Sequence, residues 1–444
     1  MVLSGRTPLE RGALESRIRN ALSTAGFNPS SENFSVFLSR LEYIQADYAD
    51  DAFYSRLTAL LAKQDSRFGV KRKHLFYLAT PPSAFESIAL NLKAFGLLFD
   101  PCETGCWSRI IIEKPYGSSL ESAAALEAAL KQAASESQVY RIDHFTGKET
   151  VQNVMALRSA NAVFDGTWNN RFMDHVQITV FEELGLEGRA SFFEKMGLAR
   201  DMMSHILQLA AITAMDLPAT FRDTDFKAEK KLFFGSIRPL EREEVPTRSV
   251  RGQYAGYRDE QGVAQDSLAE TFLAFKFQID NARWRGVPFY VRAGKKTGAK
   301  STRIDLVYNK PARGIFKTIN IGHPNTFSFN IQPEEKITFS LVSKHPGPKL
   351  CFAPKTMELD YRAEGQDAAG YPTDYERLLI EAMSGDQTLF LSSFEMRFMW
   401  EFLSPLLAAW QEDPGANPLH AYAAGTAGPA AAEELIKKDG RSWV

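Results

Sequence analysis

The 444-residue sequence has few cysteines and no excess of charge of one sign. Cys102, Cys106 and Cys351 are too few for the disulfide framework of a small secreted protein. Cys102 and Cys106 could bind a metal, but no second ligand pair with suitable spacing follows, so we expect free thiols in a reducing cytoplasm. The 52 Lys and Arg residues against 54 Asp and Glu residues include no long run of like charge. A nucleic-acid or membrane-binding arm is therefore not expected.

Long apolar runs are also missing. Residues 1–12 contain three charged residues and no apolar core, which excludes a secretory signal in this segment. The longest apolar stretch, 207–217, is interrupted by Gln208 and Asp216 and is too short to span a bilayer. With 44% apolar and 12% aromatic residues, the composition is typical of a soluble globular protein, and a cytoplasmic location is expected.

Several catalytic motifs are absent. The sequence has neither a His-Glu-x-x-His zinc motif nor a Gly-x-Ser-x-Gly nucleophile elbow, and it predicts no metal site. Residues 294–297, Gly-Lys-Lys-Thr, resemble the end of a phosphate-binding loop. Phe289, however, stands where the first glycine of that loop must be, which excludes a nucleoside triphosphatase.

The residues that are present predict two domains, 1–140 and 141–444. Strand-like and helix-like segments alternate up to residue 140, which predicts an α/β domain with a parallel, doubly wound sheet. Beyond residue 160, strand candidates separated by short gaps predict an α+β domain with a large, mostly antiparallel sheet. These candidates are 176–181, 271–279, 288–292, 304–308, 326–331 and 337–342.

Residues 141–149 place an acid, an imidazole, an ammonium and a glycine at a switch from strand to helix. A short strand is predicted at 138–140, and helical spacing begins at Val151. Open α/β sheets bind ligands outside the carboxyl ends of their strands. A capped helix start followed by solvated charges is the alternative interpretation, and the local pattern alone favours neither.

Residues 141–149, together with Gln152, Asn153, Leu157 and Arg158, resemble the active-site signature of the glucose-6-phosphate dehydrogenase family. Further matches occur in family order along nearly the whole chain. They lie at 77–82, 113–117, 187–189, 200–201, 205–208, 283–289, 292–295, 332–333 and 375–378.

The resemblance implies a Rossmann-like NADP-binding domain over residues 1–140 and a substrate-binding and dimerisation domain over residues 141–444. It implies oxidation of D-glucose 6-phosphate to 6-phosphoglucono-1,5-lactone with hydride transfer to NADP, the first step of the oxidative pentose phosphate pathway. NAD is the alternative cofactor. The implied assembly is a homodimer or a homotetramer that binds a sugar phosphate and neither nucleic acid nor membrane.

The resemblance also implies the catalytic pair. His205 would be the general base that takes the proton of the C1 hydroxyl, and Asp143 would orient its imidazole. An ordinary imidazole titrates near neutrality, which suits that task. Taken alone, a histidine within a helix is more often a buried structural residue, and the surrounding motif is what favours the catalytic interpretation.

The other implied site residues bind the sugar phosphate or the cofactor. They are His144, Lys148 and Lys300 for the phosphate, Glu182, Asp201, Lys295 and Gln332 for the sugar, Lys114 between sugar and nicotinamide, and Arg6 for the 2′-phosphate of NADP. A cluster of cations suits a dianion because charge-assisted hydrogen bonds are strong. For Lys295 and Lys300 the alternative is an exposed basic loop, and for Arg6 it is a solvated charge.

Two departures from the family pattern lie in the substrate site. Phe145 stands where the family commonly has tyrosine, which removes a hydroxyl directed at the phosphate. Asp201 and His205 are four residues apart, whereas the family has one more residue between them and usually an asparagine before the histidine. Residues i and i+4 share one face of a helix, so both side chains are still expected to face one site.

The third departure is the lack of a Gly-x-x-Gly-Asp-Leu turn before residue 60. In the family this turn and the helix after it hold the cofactor pyrophosphate. We therefore expect the chain to lack the first β-α unit of the family, through a late start or trimming. Two alternatives remain at this point: a catalytically silent sugar-phosphate-binding subunit, and an oxidoreductase for another phosphosugar, suggested by Phe145 and Ser204.

Overall fold

The chain folds into two compact units in the computed structural model. The first comprises Met1–Ile112 with Ala125–Val139, and the second comprises Glu113–Ala124 with Tyr140–Val444. The described residues are 1–28, 31–103, 105–310, 324–348, 351–360 and 372–444.

Strands and helices alternate along the first unit, as the sequence predicts. They are β1 (Val2–Gly5), α1 (Arg11–Thr24), α2 (Glu32–Ser39), β2 (Glu42–Gln45), α3 (Asp51–Phe68), β3 (Lys73–Leu78), α4 (Phe85–Ala94), β4 (Trp107–Ile112) and most of α5 (Leu120–Ala133). Helix α3 begins after Asp50, whose carboxylate accepts the N–H of Ala52, and ends at Gly69 with φ of 64°. Both are ordinary helix boundaries, since Asp accepts orphan N–H groups and Gly tolerates positive φ.

The strands of the first unit are parallel: β1 pairs with β2, and β3 pairs with β4. Strand β4 carries three fully buried isoleucines, Ile110 to Ile112, the apolar run that is typical of a parallel strand covered on both faces. The predicted α/β class is confirmed for this unit. That the unit lacks a first β-α segment stays a prediction.

Cys102 and Cys106 form a disulfide with a Cα–Cα distance of 5.2 Å, so the prediction of free thiols is wrong for this pair. The Gly105 N–H donates to the Cys102 carbonyl at 2.9 Å, and the Cys102 N–H donates to the Cys106 carbonyl at 3.1 Å. These bonds hold the two cysteines close together, and their Cα distance is within the range that a disulfide spans. Cys351 is a free, exposed thiol.

The second unit is larger and mixes strands with helices. Its elements are β5 (Val139–Ile142), α6 (Glu149–Ala160), α7 (Ala162–Asp165), β6 (Met173–Phe181), α8 (Ala190–Ala214), α9 (Asp223–Ser236), α10 (Val245–Arg248), β7 (Ser249–Tyr254), β8 (Phe272–Gln278), β9 (Pro288–Gly294), β10 (Ser301–Tyr308), β11 (Thr326–Gln332), β12 (Lys336–Lys344), β13 (Phe352–Leu359), α11 (Asp374–Ser384), β14 (Phe390–Leu391), α12 (Ser393–Glu412), β15 (Leu419–Tyr422) and α13 (Ala430–Lys437).

Nine of these strands form one sheet among the described residues, in the order β13-β12-β11-β10-β6-β9-β8-β7-β15. Neighbours are antiparallel except in the pairs β6–β9 and β7–β15, so the prediction of a large, mostly antiparallel sheet is confirmed. The sequence prediction omits β7, β13 and β15. Strand β13 shows why, because most of its residues are exposed and give no alternation of apolar and polar positions.

Helix α8 is buried nearly all round after Gly197, which marks a kink with φ of 63°. Only a helix enclosed by other elements can be apolar on every face. His205 lies in this buried segment, so the fold fixes its position firmly. Within the ranges given above, no helix combines the length and apolar character that a bilayer crossing requires.

Candidate active site

The loop after β5 fixes the carboxylate of Asp143. The backbone N–H and the hydroxyl of Thr146 both donate to the Asp143 carbonyl, at 3.1 and 2.7 Å. The Phe145 N–H donates to Asp143 Oδ1 at 3.0 Å. This turn exploits the tendency of Asp and Thr to bond nearby backbone groups, and it aims the carboxylate at helix α8.

Glu270 fixes the start of the helix that carries His205. At the Gly197 kink, the Leu198 N–H donates to the Glu270 carbonyl and the Ala199 N–H donates to its Oε1, both at 2.9 Å. A side chain at position 197 would collide with this carboxylate, and the positive φ also favours glycine. Burial raises the pKa of Glu270, although the Ala199 bond and the charge of Arg200 oppose the shift.

Asp143 and His205 form a buried pair. Asp143 Oδ1 lies 2.5 Å from His205 Nδ1, and the two side chains are 0% and 1% exposed. Burial lowers the pKa of His205, although the charge of Asp143 opposes that shift. Burial alone would raise the pKa of Asp143, but His205 and Lys114 hold it well below its ordinary value. A carboxylate therefore accepts the Nδ1 proton, and Nε2 is left as the basic nitrogen.

Lys114 joins His205 to Asp201. Its Nζ lies 2.8 Å from His205 Nε2, 2.7 Å from the Asp201 carbonyl and 3.3 Å from Asp201 Oδ1. Burial raises the pKa of the Asp201 carboxyl, but Lys114 and Lys295 leave it lowered overall. The four-residue spacing thus keeps Asp201 and His205 on one face of α8, where both contact the same ammonium.

His144 lies beside this pair. Its ring centroid is 4.7 Å from that of His205, and the Phe145 ring stacks on His205 at 4.2 Å. Burial, together with the positive charges of His205, Lys114 and Lys148, lowers the pKa of His144 to about 4, although Asp143 opposes the shift. In this structure His144 is therefore a neutral group at pH 7 rather than a member of a cation cluster.

Glu182 and Lys295 form an ion pair at the ends of two neighbouring strands. Glu182 follows β6 and donates its N–H to Gly294 at 2.8 Å, which ties it to the end of β9. The Lys295 ammonium contacts Glu182 Oε2, and its side chain is only 3% exposed. Because Lys295 is buried, the alternative interpretation of an exposed basic loop does not apply to it. Lys300 is exposed.

These groups line a cavity of about 290 Å³ in the second unit. Its wall includes Lys114, His144, Glu182, Asp201, His205 and Lys295. Ser204 also lines it, and the Ser204 hydroxyl has no hydrogen-bond partner among the described residues. A cavity of this size with a few convergent polar groups is typical of a small-ligand site.

Five predicted residues are not among those of this wall, and one of them is Asp143, which contacts His205 instead. The other four are Lys148, Lys300, Gln332 and Arg6. Lys148 is buried and its ammonium lies 2.9 Å from Asp374 Oδ2. Lys300 is exposed before β10, and Gln332 is half-buried at the end of β11, where it pairs with Thr302. Arg6 is exposed in the first unit, directly after β1.

A larger cavity of about 460 Å³ lies elsewhere in the second unit, beside β8 and α13. Three of its cations already have carboxylate partners: Lys276 with Asp439 at 2.8 Å, Arg441 with Asp174 at 2.8 Å, and Arg248 with Glu244 at 3.0 Å. It has no histidine on its wall, so the smaller cavity is the better candidate. Among the residues that the structure describes, no cluster of three or more His, Cys, Asp or Glu suits a metal ion.

Sequence reasoning missed Glu270 and Asp374. Glu270 precedes β8 and is 71 residues from the Ala199 N–H that it accepts, while Asp374 is 226 residues from Lys148. Asp374 directly follows Thr373, whose capping box with Glu376 marks a helix start that the sequence does show. No local pattern, however, shows which lysine the acid would meet.

Family models match both parts of the chain. The model described as glucose-6-phosphate dehydrogenase, NAD binding domain, matches residues 1–153, and the model for the C-terminal domain matches residues 155–444. Glucose-6-phosphate 1-dehydrogenase of Chlamydia muridarum is 37% identical over 460 residues, which cover 99% of this chain and 88% of that protein. The Bacillus subtilis enzyme of the same name is 36% identical, covering 99% and 90%.

Solved structures agree with these matches. A glucose-6-phosphate dehydrogenase in complex with its substrate glucose 6-phosphate superposes with a TM-score of 0.89 at 29% identity. The match covers 100% of this chain and 91% of that chain. The similarity therefore extends through both units and includes the candidate site.

Proposed function

The chain belongs to the glucose-6-phosphate dehydrogenase family, and we propose that it oxidises D-glucose 6-phosphate to 6-phosphoglucono-1,5-lactone with NADP as the hydride acceptor. This reaction is the first step of the oxidative pentose phosphate pathway. The observation that carries the proposal is the buried Asp143–His205 pair, with Nδ1 held at 2.5 Å and Nε2 directed at the Lys114 ammonium on the cavity wall.

His205 is proposed as the general base. Because Nδ1 carries the proton shared with Asp143, Nε2 is free to accept the proton of the C1 hydroxyl. The lowered pKa of His205 keeps the imidazole neutral before the reaction, and Asp143 stabilises the imidazolium that forms. Lys114 now donates to Nε2 at 2.8 Å, so the C1 hydroxyl must take its place there.

The sugar is proposed to lie along the rest of the cavity wall. Glu182 and Asp201 offer carboxylate acceptors, and Lys295 offers a donor beside Glu182. The unpartnered Ser204 hydroxyl supports a further hydrogen bond to the sugar. Each of these groups is buried or half-buried, which makes a hydrogen bond to the substrate stronger than it would be in water.

The phosphate is proposed to bind His144 and Lys148. His144 lines the cavity and, with a pKa of about 4, offers a neutral N–H as a donor, and a nearby dianion would raise that pKa. Lys148 must leave Asp374 to reach the phosphate. Lys300 and Gln332 remain candidates for the phosphate and the sugar.

A nicotinamide dinucleotide is the cofactor class of the family model for residues 1–153, and NADP is the proposed member. Two residues at the carboxyl ends of parallel strands fit a dinucleotide. Arg6 is exposed after β1, and the Thr80 hydroxyl after β3 is buried without a hydrogen-bond partner among the described residues. Bound NADP would supply the hydride acceptor. Arg6 would favour NADP over NAD through the 2′-phosphate, and Lys114 would be the residue shared with the sugar.

A direct assay separates this function from the catalytically silent alternative, which no finding supports. The purified chain should form NADPH, detected by absorbance, when it receives glucose 6-phosphate and NADP. A silent subunit would bind the sugar phosphate without reducing NADP. Epimeric hexose 6-phosphates as substrates test the third alternative, which requires one of them to be turned over faster than glucose 6-phosphate.

The remaining proposals concern assembly and location. We infer a homodimer or homotetramer, supported by the exposed Met357 and Leu359 on β13, which is one of the two edge strands of the large sheet among the described residues. Light scattering during gel filtration would measure the assembly. A cytoplasmic location is part of the proposal because that compartment supplies NADP and sugar phosphates.

A further inference from the structure

Lys148 already has an anionic partner. Its ammonium lies 2.9 Å from Asp374 Oδ2, with side-chain exposures of 8% for Lys148 and 36% for Asp374. The same ammonium lies 5.6 Å from the centre of the Phe145 ring, beside the base His205. The cation expected to bind the substrate phosphate is therefore neutralised by a residue of the chain itself.

The fold holds Asp374 in place. Asp374 is the first residue of α11, whose start is fixed by the capping box of Thr373 and Glu376. The Arg377 guanidinium donates to the Gly147 carbonyl at 2.9 Å and also pairs with Glu149. Position 147 has no room for a side chain, because a Cβ there would lie 2.9 Å from the Asp374 carbonyl. The backbone of Asp374 is thus packed directly against the loop that carries Lys148.

The position in the helix also favours a negative charge. The first turn of a helix stabilises an anion through the helix dipole and the unpaired N–H groups. Asp374 is therefore a fixed anion about 3 Å from the ammonium, and a phosphate dianion must approach the same ammonium against its field. Two anions that share one cation compete for it, and they repel each other more strongly than in bulk water because the effective dielectric constant near a protein surface is only about 20.

We propose that Asp374 is a specificity-determining residue, a counter-ion that Lys148 exchanges for the substrate phosphate. Asp374 weakens the binding of phosphorylated ligands and leaves unphosphorylated sugars unaffected. This inference rests on the proposed function, since it takes the phosphate to bind beside His144 and Lys148. The ion pair with Asp374 explains why Lys148 does not line the cavity, although His144 of the same loop does.

The test is the variant Asp374→Asn, which removes the charge and keeps the size of the side chain. The expected result is a KM for glucose 6-phosphate about tenfold lower than that of the native chain, with kcat changing less than KM. The kcat/KM for glucose, which has no phosphate, should stay unchanged. The preference for the phosphorylated sugar should therefore rise about tenfold. Glu381→Gln is the matched control, because it removes one negative charge from the same helix without contact to Lys148, and its KM should stay within twofold.

A binding measurement keeps this inference separate from the proposed function. Calorimetric titration with inorganic phosphate should give a tighter Kd for Asp374→Asn than for the native chain, whether or not either protein reduces NADP. In a Lys148→Gln background, the Asp374→Asn change should lose most of its effect. An unchanged or weaker affinity of Asp374→Asn for phosphate, with its circular dichroism intact, would overturn the role of Asp374 even if glucose 6-phosphate is turned over normally.

Discussion

Two pairs of an acid and a base in contact lie at or next to the candidate cavity, Asp143–His205 and Lys148–Asp374, and they differ in how far they are open to solvent. On the base side, Asp143 and His205 are 0% and 1% exposed, and no solvent reaches their 2.5 Å contact. On the phosphate side, Lys148 is buried at 8%, but its partner Asp374 is 36% exposed on the first turn of α11. The carboxylate of the second pair is open to solvent, whereas the contact within the first pair is closed to it.

This difference indicates which partner is permanent and which is exchangeable. Asp143 is tied by backbone bonds from its own loop and keeps His205 in one tautomer throughout a reaction. We propose that the Asp374 carboxylate pairs with Lys148 until the phosphate dianion takes its place. In this proposal the first pair serves catalysis and the second sets the affinity for the phosphate.

The largest loss of activity is expected when the permanent pair, Asp143–His205, is changed. Asp143→Asn should lower kcat by about 10²–10⁴-fold, the loss expected when a general base is disabled, because a neutral amide no longer stabilises the imidazolium that forms on His205. KM should change little, since Asp143 does not line the cavity. Steady-state kinetics with glucose 6-phosphate measure both constants, and a loss confined to KM would contradict the assignment.

For the exchangeable pair, Lys148–Asp374, a substitution should change KM more than kcat. Lys148→Ala removes a charged donor worth about 1.5–3 kcal/mol to the phosphate, so KM should rise about 10–100-fold with a smaller change in kcat. Measuring kcat at saturating sugar phosphate separates the two. If Lys148→Ala lowered kcat as much as Asp143→Asn does, the Lys148–Asp374 and Asp143–His205 pairs would not have the different roles proposed for them.

Glu270 should have a smaller effect on the base side. Glu270→Ala removes the cap of the helix that carries His205, and caps contribute about 0.5–2 kcal/mol. The expected result is a lower unfolding temperature and a kcat reduced by about tenfold. Glu270→Gln retains an oxygen that accepts the Ala199 N–H and should restore most of kcat, whereas equal losses in both variants would argue against a capping role.

The smallest effect is a shift in titration. His205 should titrate below pH 6.5 and His144 near pH 4, because burial lowers both pKa values. NMR titration of the imidazoles, assigned with His205→Gln and His144→Gln, measures the two midpoints. Both groups are neutral above their lowered pKa, so His205 should remain a competent base at every pH above 6.5. A midpoint above 6.5 for His205 would contradict this.

The sequence predicted the fold classes and the Asp143–His205 pair, but it did not predict that Lys148 pairs with Asp374. The alternation of strands and helices predicts the first unit, and short apolar strands at hairpin spacing predict the large sheet. The motif at 141–149 and the match at 205–208 single out both members of the base pair. Asp374 was missed because its contact with Lys148 depends on how α11 packs, 226 residues further along the chain.

Two further predictions differ from the structure because they also depend on the surroundings of a residue in the folded chain. The small number of cysteines and the lack of a second ligand pair predicted free thiols at Cys102 and Cys106, whereas the two residues form a disulfide. His144 was expected to act as a cation, yet burial beside His205 lowers its pKa to about 4. Charge state depends on the surroundings that only the folded chain provides, and residue type alone does not give it.

The most direct test of the central claim is the rate of NADP reduction by the purified chain with glucose 6-phosphate, measured beside His205→Ala. We predict that the native chain forms NADPH and that His205→Ala lowers kcat by about 10²–10⁴-fold while KM changes only a few-fold. Failure of the native chain to reduce NADP, or an unchanged kcat in a folded His205→Ala variant, would contradict the account.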